Sequence, residues 1–253
     1  MTAKIVSGEY GAGVLPINVA AKLYESGVAL KLAAIVGNGM VSFLCTKADI
    51  HTLTDLKGKR VFVAGQGATP DFVLRRLLRG VGMDPDVDVR LDYSLPYPEA
   101  AMALAGGTIG YAVLPEPFTT MARLASPSLL SPLDIGALWK SQTGQADYPM
   151  TAFVVSSKLA RESPLAVKAF LDAYAASIAW VRAHPEEAGA LVEKDDLGLK
   201  AAFAAKAIPR SAYVFVPSPD ARPSVEALLR VFLDLAPASV GGALPDDGFY
   251  AAF

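Results

Sequence analysis

Two hydrophobic periods alternate along the chain. Apolar runs of three to seven residues, right for buried strands, fall at Gly13–Leu15, Leu30–Val36, Met40–Thr46, Arg60–Ala64, Val87–Tyr93, Gly110–Leu114 and Thr151–Ser156. Between and after them the apolar positions recur at helical spacing: Val19–Ser26, Pro70–Gly80, Pro98–Ala105, Glu116–Leu124, Ile135–Lys140, Pro164–Ala183, Pro185–Val192, Leu199–Ala207 and Ser224–Leu235. Met1–Tyr10 reads as the last turn of a helix ending near Gly8. The punctuation agrees with this order. Pro16 stops the first strand, Asn18 is placed to cap the next helix and Gly27 closes it. Gly37-Asn38-Gly39 is a turn between two strands. Strands alternating with helices predict an α/β fold.

The densest stretch is Asp55–Arg79, which reads as strand, glycine loop and helix. Gly65-Gln66-Gly67-Ala68 lets the backbone turn tightly and approach a ligand. Thr69 is expected as N-cap and Pro70 as the first helical residue, with Asp71 at the positive end of the helix dipole. Phe72, Leu74, Leu77 and Leu78 form the apolar face, and Arg75, Arg76 and Arg79 the wet one. A loop leading into helix N–H groups suits an anion or a polar ligand; a plain strand–turn–helix is the competing reading.

An internal echo extends the pattern. Gly8–Pro16 aligns without a gap on Gly107–Pro115, 99 residues later, each copy ending in Val-Leu-Pro. The echo implies two similar α/β lobes. In the second lobe that strand is preceded by strand, helix, strand and helix. By analogy the first lobe lacks its opening strand, helix and strand, on the order of 45 residues.

Composition narrows the function. The 253 residues are 53% hydrophobic, enough for one large or two small domains, and the net charge of −2 with no basic block argues against nucleic acid. No apolar run reaches the length of a membrane span. Cys45 is alone in an apolar run and reads as a buried thiol. His51 and His184 have no second ligand at metal spacing, so solvated or capping roles are expected. Asp92 and Glu99 read as solvated carboxylates. No base–nucleophile pair, Walker lysine or dinucleotide fingerprint is present, and Pro70 occupies the third glycine position of the last. The balance favours binding over catalysis, with no metal or cofactor.

Ligands of open α/β sheets lie beyond the carboxyl ends of strands. The loops there are Pro16-Ile17-Asn18, Asn38-Gly39-Met40, Gln66–Thr69, Tyr93–Tyr97, Pro115-Glu116-Pro117 and Tyr148-Pro149. The candidate ligand residues are Asn18, Asn38, Gln66, Gly67, Ala68, Thr69, Tyr93, Tyr97, Glu116 and Tyr148. Thr69 and the 67–70 amides would hold an anionic or carbonyl group, and a tyrosine would stack on a flat ligand. Turn chemistry alone accounts for many of the same residues.

Several of these stretches carry a family resemblance: Gly8–Pro16 with Asn18 and Ala20, Asp55-Leu56-Lys57-Gly58-Lys59, Gly65–Pro70, Gly82-Met83-Asp84-Pro85, Leu114–Phe118, and the tail Val240-Gly241-Gly242, Leu244–Asp247 and Phe249-Tyr250. Over nearly its whole length the chain resembles the solute-binding proteins of ABC transporters, in the NMT1/THI5-like group of nitrate, sulfonate and thiamine-pyrimidine binders. The resemblance implies a type II periplasmic-binding-protein fold: two α/β lobes, a ligand cleft and two crossovers. Lobe 1 would be 1–54 plus 148–253 and lobe 2 57–124, with 125–147 as crossover region. In the family the first lobe opens with a strand whose loop touches the ligand, in keeping with the echo. The resemblance further implies a small-molecule ligand, a permease partner, a monomer, and a periplasmic or extracellular protein that is lipid-anchored at full length. The rivals are an enzyme on the same fold, of the menaquinone-pathway kind, with Glu116 or Asp92 as its acid or base, a cytoplasmic ligand-sensing domain, and a fragment that binds nothing.

Overall fold

The structure is a computed structural model and describes residues 2–253. In chain order the elements are α1 (Thr2–Val6), β1 (Ala12–Pro16), α2 (Ile17–Glu25), β2 (Leu30–Gly37), β3 (Val41–Cys45), β4 (Arg60–Val63), α3 (Thr69–Gly80), β5 (Arg90–Asp92), α4 (Tyr97–Ala105), β6 (Tyr111–Pro115), α5 (Phe118–Ala125), α6 (Ile135–Thr143), β7 (Thr151–Ser156), α7 (Ser157–Glu162), α8 (Pro164–Ala183), α9 (Pro185–Lys194), α10 (Ala201–Ala207), β8 (Tyr213–Pro217) and α11 (Ser218–Leu235). Met1, the first residue of the predicted helix end, lies outside the described residues.

The chain divides into two α/β units. Unit one is Met1–Gly39, Asp147–Pro185 and Ala212–Phe253; unit two is Met40–Ala146 and Glu186–Ser211. The expected lobe limits differ from this division. Val41–Cys45 pairs antiparallel with Tyr111–Pro115, so β3 belongs to unit two rather than to the lobe of 1–54. Helix α6, expected within a crossover, packs on α3: Arg76 Nη1 donates to Gln142 Oε1 (3.0 Å), and Gln142 Nε2 donates to the Leu77 carbonyl (3.0 Å). The chain changes unit at 39/40 and 146/147, and again at 185/186 and 211/212, which places nearly all of α9, and α10, in unit two.

Unit one holds a four-stranded sheet in the order β1-β7-β2-β8, with every pair antiparallel. Alternation sorts its residues into two faces. Ala12, Val14, Phe153 and Val155 pack toward α8 with Val167, Leu171 and Tyr174. Leu15, Ala152 and Val154 are buried on the opposite side. Strand β8 is absent from the expected elements, because Tyr-Val-Phe-Val-Pro is short and half exposed. By length and composition α8 is the one described helix able to cross a membrane. Here its Val167 and Leu171 rest on the sheet, and Lys168 pairs with Asp172 one turn on (3.0 Å).

Unit two holds the order β3-β6-β4-β5. Its core gathers Leu44, Phe62, Ala101, Leu104, Ala112, Leu114 and Ala122. Cys45 is a free, buried thiol whose titration is pushed up by burial, as its apolar run suggests. Strand β5 begins only at Arg90, because Val87 and Asp88 fold back in a turn onto the Asp84 carbonyl (3.2 and 2.7 Å) and leave Val87 78% exposed. Helix α11 starts at Ser218 and absorbs Pro223, earlier than the expected Ser224.

Candidate functional site

In unit one, β1 runs into α2 without a loop. The N-cap position is Pro16, which has no side-chain acceptor, and the Ile17 amide donates to the Met150 carbonyl (3.1 Å). Asn18 therefore sits half-buried in the first turn and does not cap the helix, contrary to expectation. Asn38 and Gly39 do not form a hairpin turn between β2 and β3. The Asn38 amide donates to the Ala212 carbonyl (3.1 Å) and the Gly39 amide to Asp147 Oδ1 (3.0 Å). A Cβ at Gly39 would lie 2.5 Å from the Tyr148 ring, so only glycine fits there. Tyr148 is 1% exposed and has no open face on which a ligand could stack.

In unit two, the strand-to-loop transition after β4 is made by Gly65 (φ +80°) and Gly67 (φ +74°), values that only glycine adopts at low cost. Gln66 stands exposed at the tip. Ala68 is the N-cap of α3 and Thr69 its first residue, so the predicted Thr69 cap is displaced by one position and the Thr69 side chain is buried. Asp71, in the first turn, reaches back to the loop: its Oδ2 accepts the Gly67 amide at 2.9 Å. Its Oδ1 accepts Arg75 Nε (2.7 Å) and the Tyr93 hydroxyl (2.7 Å). Arg75 also donates to Asp86 (2.8 Å) and to Tyr93 (3.1 Å). Arg75, expected on the wet face, is thus enclosed in a network. Burial works against its charge, but Asp86, Tyr93 and Asp71 outweigh burial and hold the guanidinium above its ordinary value. Burial first, then the bond to Asp71, pushes the Tyr93 phenol up, and Arg75 opposes them. The Tyr93 hydroxyl is committed to this network.

Tyr97 opens α4 and stacks on Phe118 with ring centres 5.1 Å apart at 14°. Its hydroxyl lies where a Cβ on Gly65 would come within 2.7 Å, so ring and glycine loop adjoin. Glu116 follows β6 and precedes the cis Pro117. It is 7% exposed, and its Oε2 accepts the Thr120 amide in the first turn of α5 (3.1 Å). Burial raises its titration, while Thr120, Arg210 and Arg123 pull it down. Asp92, expected as a solvated carboxylate, instead pairs with Arg60 and accepts from Ser94 (2.6 and 2.8 Å). Those Ser94 bonds, then Arg60, hold it down at about 2. Glu99 is exposed. His51 is exposed, and His184 ends α8 with its ring stacked on Trp180 (5.1 Å).

In unit two the structure thus brings Gly65, Gln66, Gly67, Ala68, Thr69, Tyr93 and Tyr97 around one loop, and places Glu116 at the end of the neighbouring strand β6. Asn18 and Asn38 belong to unit one. The Asp71–Arg75 pair is missed by periodicity alone, although its i,i+4 spacing is a legible sign.

Two α/β units joined by repeated crossovers, with polar loops at strand ends and short strand-to-helix turns, define the type II periplasmic-binding class. The fold is found in solved structures of that class. An ABC transporter protein from Parabacteroides distasonis is 27% identical, with a TM-score of 0.83 over 99% of this chain and 84% of that one. The periplasmic aliphatic sulphonate binding protein SsuA of Escherichia coli matches in fold with a TM-score of 0.74 at 18% identity, over 95% of this chain and 76% of that one. The NMT1/THI5-like family model matches residues 18–188, and the chain belongs to that family. Among sequence relatives, a 1,4-dihydroxy-6-naphtoate synthase of Thermus thermophilus is 29% identical over 168 residues. The nitrate/nitrite binding protein NrtA of a Nostoc species is 26% identical over 170 residues. Each alignment takes in 66% of this chain, but only 55% of the first relative and 37% of the second.

Proposed function

We propose that this chain is the solute-binding component of an ABC importer, which captures a small polar molecule by closure of its two lobes and passes it to a membrane permease. The observation that carries this reading is the match over 99% of the chain to an ABC transporter protein at 27% identity. The polar loops at strand ends support it. The ligand groups would be Asn18 and Asn38 in unit one, and Gln66, Ala68, Thr69, Tyr97 and Glu116 in unit two. Tyr97 would offer its ring to a flat solute, and Gln66 its exposed amide. Closure requires that the solute make better contacts in the closed form than in the open one. The protein acts as a periplasmic monomer.

The test is a melting series of the purified protein against sulfonates, nitrate, pyrimidines, amino acids and carboxylates. A solute at 100 times its dissociation constant adds about 2.7 kcal/mol. A shift with one chemical class supports the reading; a flat series across all classes contradicts it. The second reading, an enzyme, draws on the Thermus thermophilus relative and on Glu116, a buried carboxylate whose titration is raised by burial. Turnover lost in Glu116→Gln while binding persists would favour it.

A further inference from the structure

We infer that unit one carries a second binding site, for a small apolar carboxylate, in the cavity between α7, the first turns of α8, the start of β2 and the tail Tyr250–Phe253. The cavity measures about 440 Å³, within the range of small-molecule pockets. It opens at the Lys31 end of β2. Asn38, the candidate solute residue, lies just past the other end, roughly 20 Å further along the strand. The inference therefore goes beyond the solute-binding reading and does not depend on it. The tail wall of the cavity is fixed in place. Tyr250 pairs with Leu32 as a parallel bridge, and the Ala251 amide donates to the Leu32 carbonyl (2.9 Å). Arg222 lies over the Tyr250 ring at 4.7 Å, and the Phe249 ring meets it edge-on at 5.2 Å. The Tyr250 hydroxyl is buried and has no hydrogen-bond partner among the described residues.

The charged side chains of the lining have one sign. Lys31, Arg161 and Lys168 come to it from β2, α7 and α8, and no acidic side chain does, in a chain whose net charge is −2. Lys31 is spent on the Gly248 carbonyl (2.7 Å). Arg161 approaches Glu162 only to 3.9 Å, beyond hydrogen-bond distance. Lys168 holds Asp172 (3.0 Å) across an exposed i,i+4 pair, which yields at little cost. A guanidinium takes a carboxylate through two parallel N–H bonds, so Arg161 is the anchor and Lys168 its neighbour. The rest of the lining is largely apolar, with Pro164 on the wall and Leu165 standing 82% exposed at the rim. An inorganic anion would leave that surface wet. A neutral apolar solute would leave Arg161 without a counter-charge. A carboxylate on a hydrocarbon or aryl body meets both.

The experiment is calorimetric titration of the full chain with three probes: 3-phenylpropionate, its neutral amide, and acetate. The wild type is expected to bind 3-phenylpropionate about tenfold more tightly than either of the others. In the double variant Arg161→Ala, Lys168→Ala the acid should lose about tenfold in affinity while the amide is unchanged. Leu165→Asp puts a charge of the wrong sign on the rim and should abolish binding of the acid. Asp172→Ala frees Lys168 and should tighten it by about twofold. Arg161, Leu165, Lys168 and Asp172 are all exposed, so the variants keep the fold, and a melting curve of each checks this. Equal binding of acid and amide, an affinity unchanged in the double variant, or silence toward 3-phenylpropionate overturns the inference and leaves the solute-binding reading standing. A carboxylate response that vanishes with Arg161 and Lys168 belongs to this cavity, and it stands even where the other solutes give a flat series.

Discussion

The strand ending in Val-Leu-Pro occurs twice, and its two copies have different lives. Gly8 and Gly107 precede them with nearly the same left-handed backbone, at φ +76° and +73°, and β1 and β6 span equivalent residues. Yet β6 lies between β3 and β4 and is buried at all five positions. Strand β1 has β7 as its neighbour on one side and ends the sheet on the other, so its burial alternates. Local sequence sets turn and strand; neighbours supplied by distant chain set the environment. The copies also differ in how they reach the next helix. β1 passes straight into α2, whereas Glu116 and Pro117 stand between β6 and α5. The buried carboxylate belongs to that two-residue insertion alone.

The largest expected contrast is at Val14 and Val113, which occupy equivalent positions in the two copies. Val113 is fully buried and Val14 half so. Val113→Ala should cost about 2 kcal/mol through lost burial and a residual cavity, and Val14→Ala about half that. Urea unfolding of the two variants measures it, and equal costs would break the contrast between edge and centre. Next come Gly8→Ala and Gly107→Ala. A methyl group at either glycine would meet open space, so only backbone conformation opposes the change. Each should cost about 1 kcal/mol, and the two costs should agree. A large inequality would show that the turns are not equivalent.

The smallest effect is specific to the second copy. Burial raises the Glu116 titration above its unfolded value, so the folded state holds a proton that the unfolded chain releases first. This contribution to stability is present below about pH 4.3 and is lost as pH rises through the folded-state value. Glu116→Gln should therefore match the wild type near pH 4 and melt above it at pH 7. Melting curves that stay parallel at both pH values would show that Glu116 carries no such penalty.

Most strands and helices are legible in the sequence because their apolar spacing is strong: Thr151–Ser156 and Pro164–Ala183 have the expected limits. The hidden features depend on partners far along the chain. Gly37-Asn38-Gly39 has the composition of a hairpin, but its amides bond to Ala212 and Asp147, and β3 leaves for the other sheet. Thr69 looks like a cap because its type suits one, while Asp71, two residues on, reaches back to Gly67. Arg75 looks solvated because helix periodicity shows which way a side chain points and not what approaches it. Tyr93 and Asp86, which enclose it, come from residues beyond the end of α3. Tyr148 suits a stacking ring by type, since nothing in Tyr-Pro announces that Gly39 lets the ring pack against the backbone.

The most direct test of the account is the melting temperature of the wild-type protein measured under identical conditions against sulfonates, nitrate, pyrimidines, amino acids and carboxylates. A rise with one chemical class, worth about 2.7 kcal/mol at 100 times its dissociation constant, is the predicted result. A flat series across all classes would contradict it.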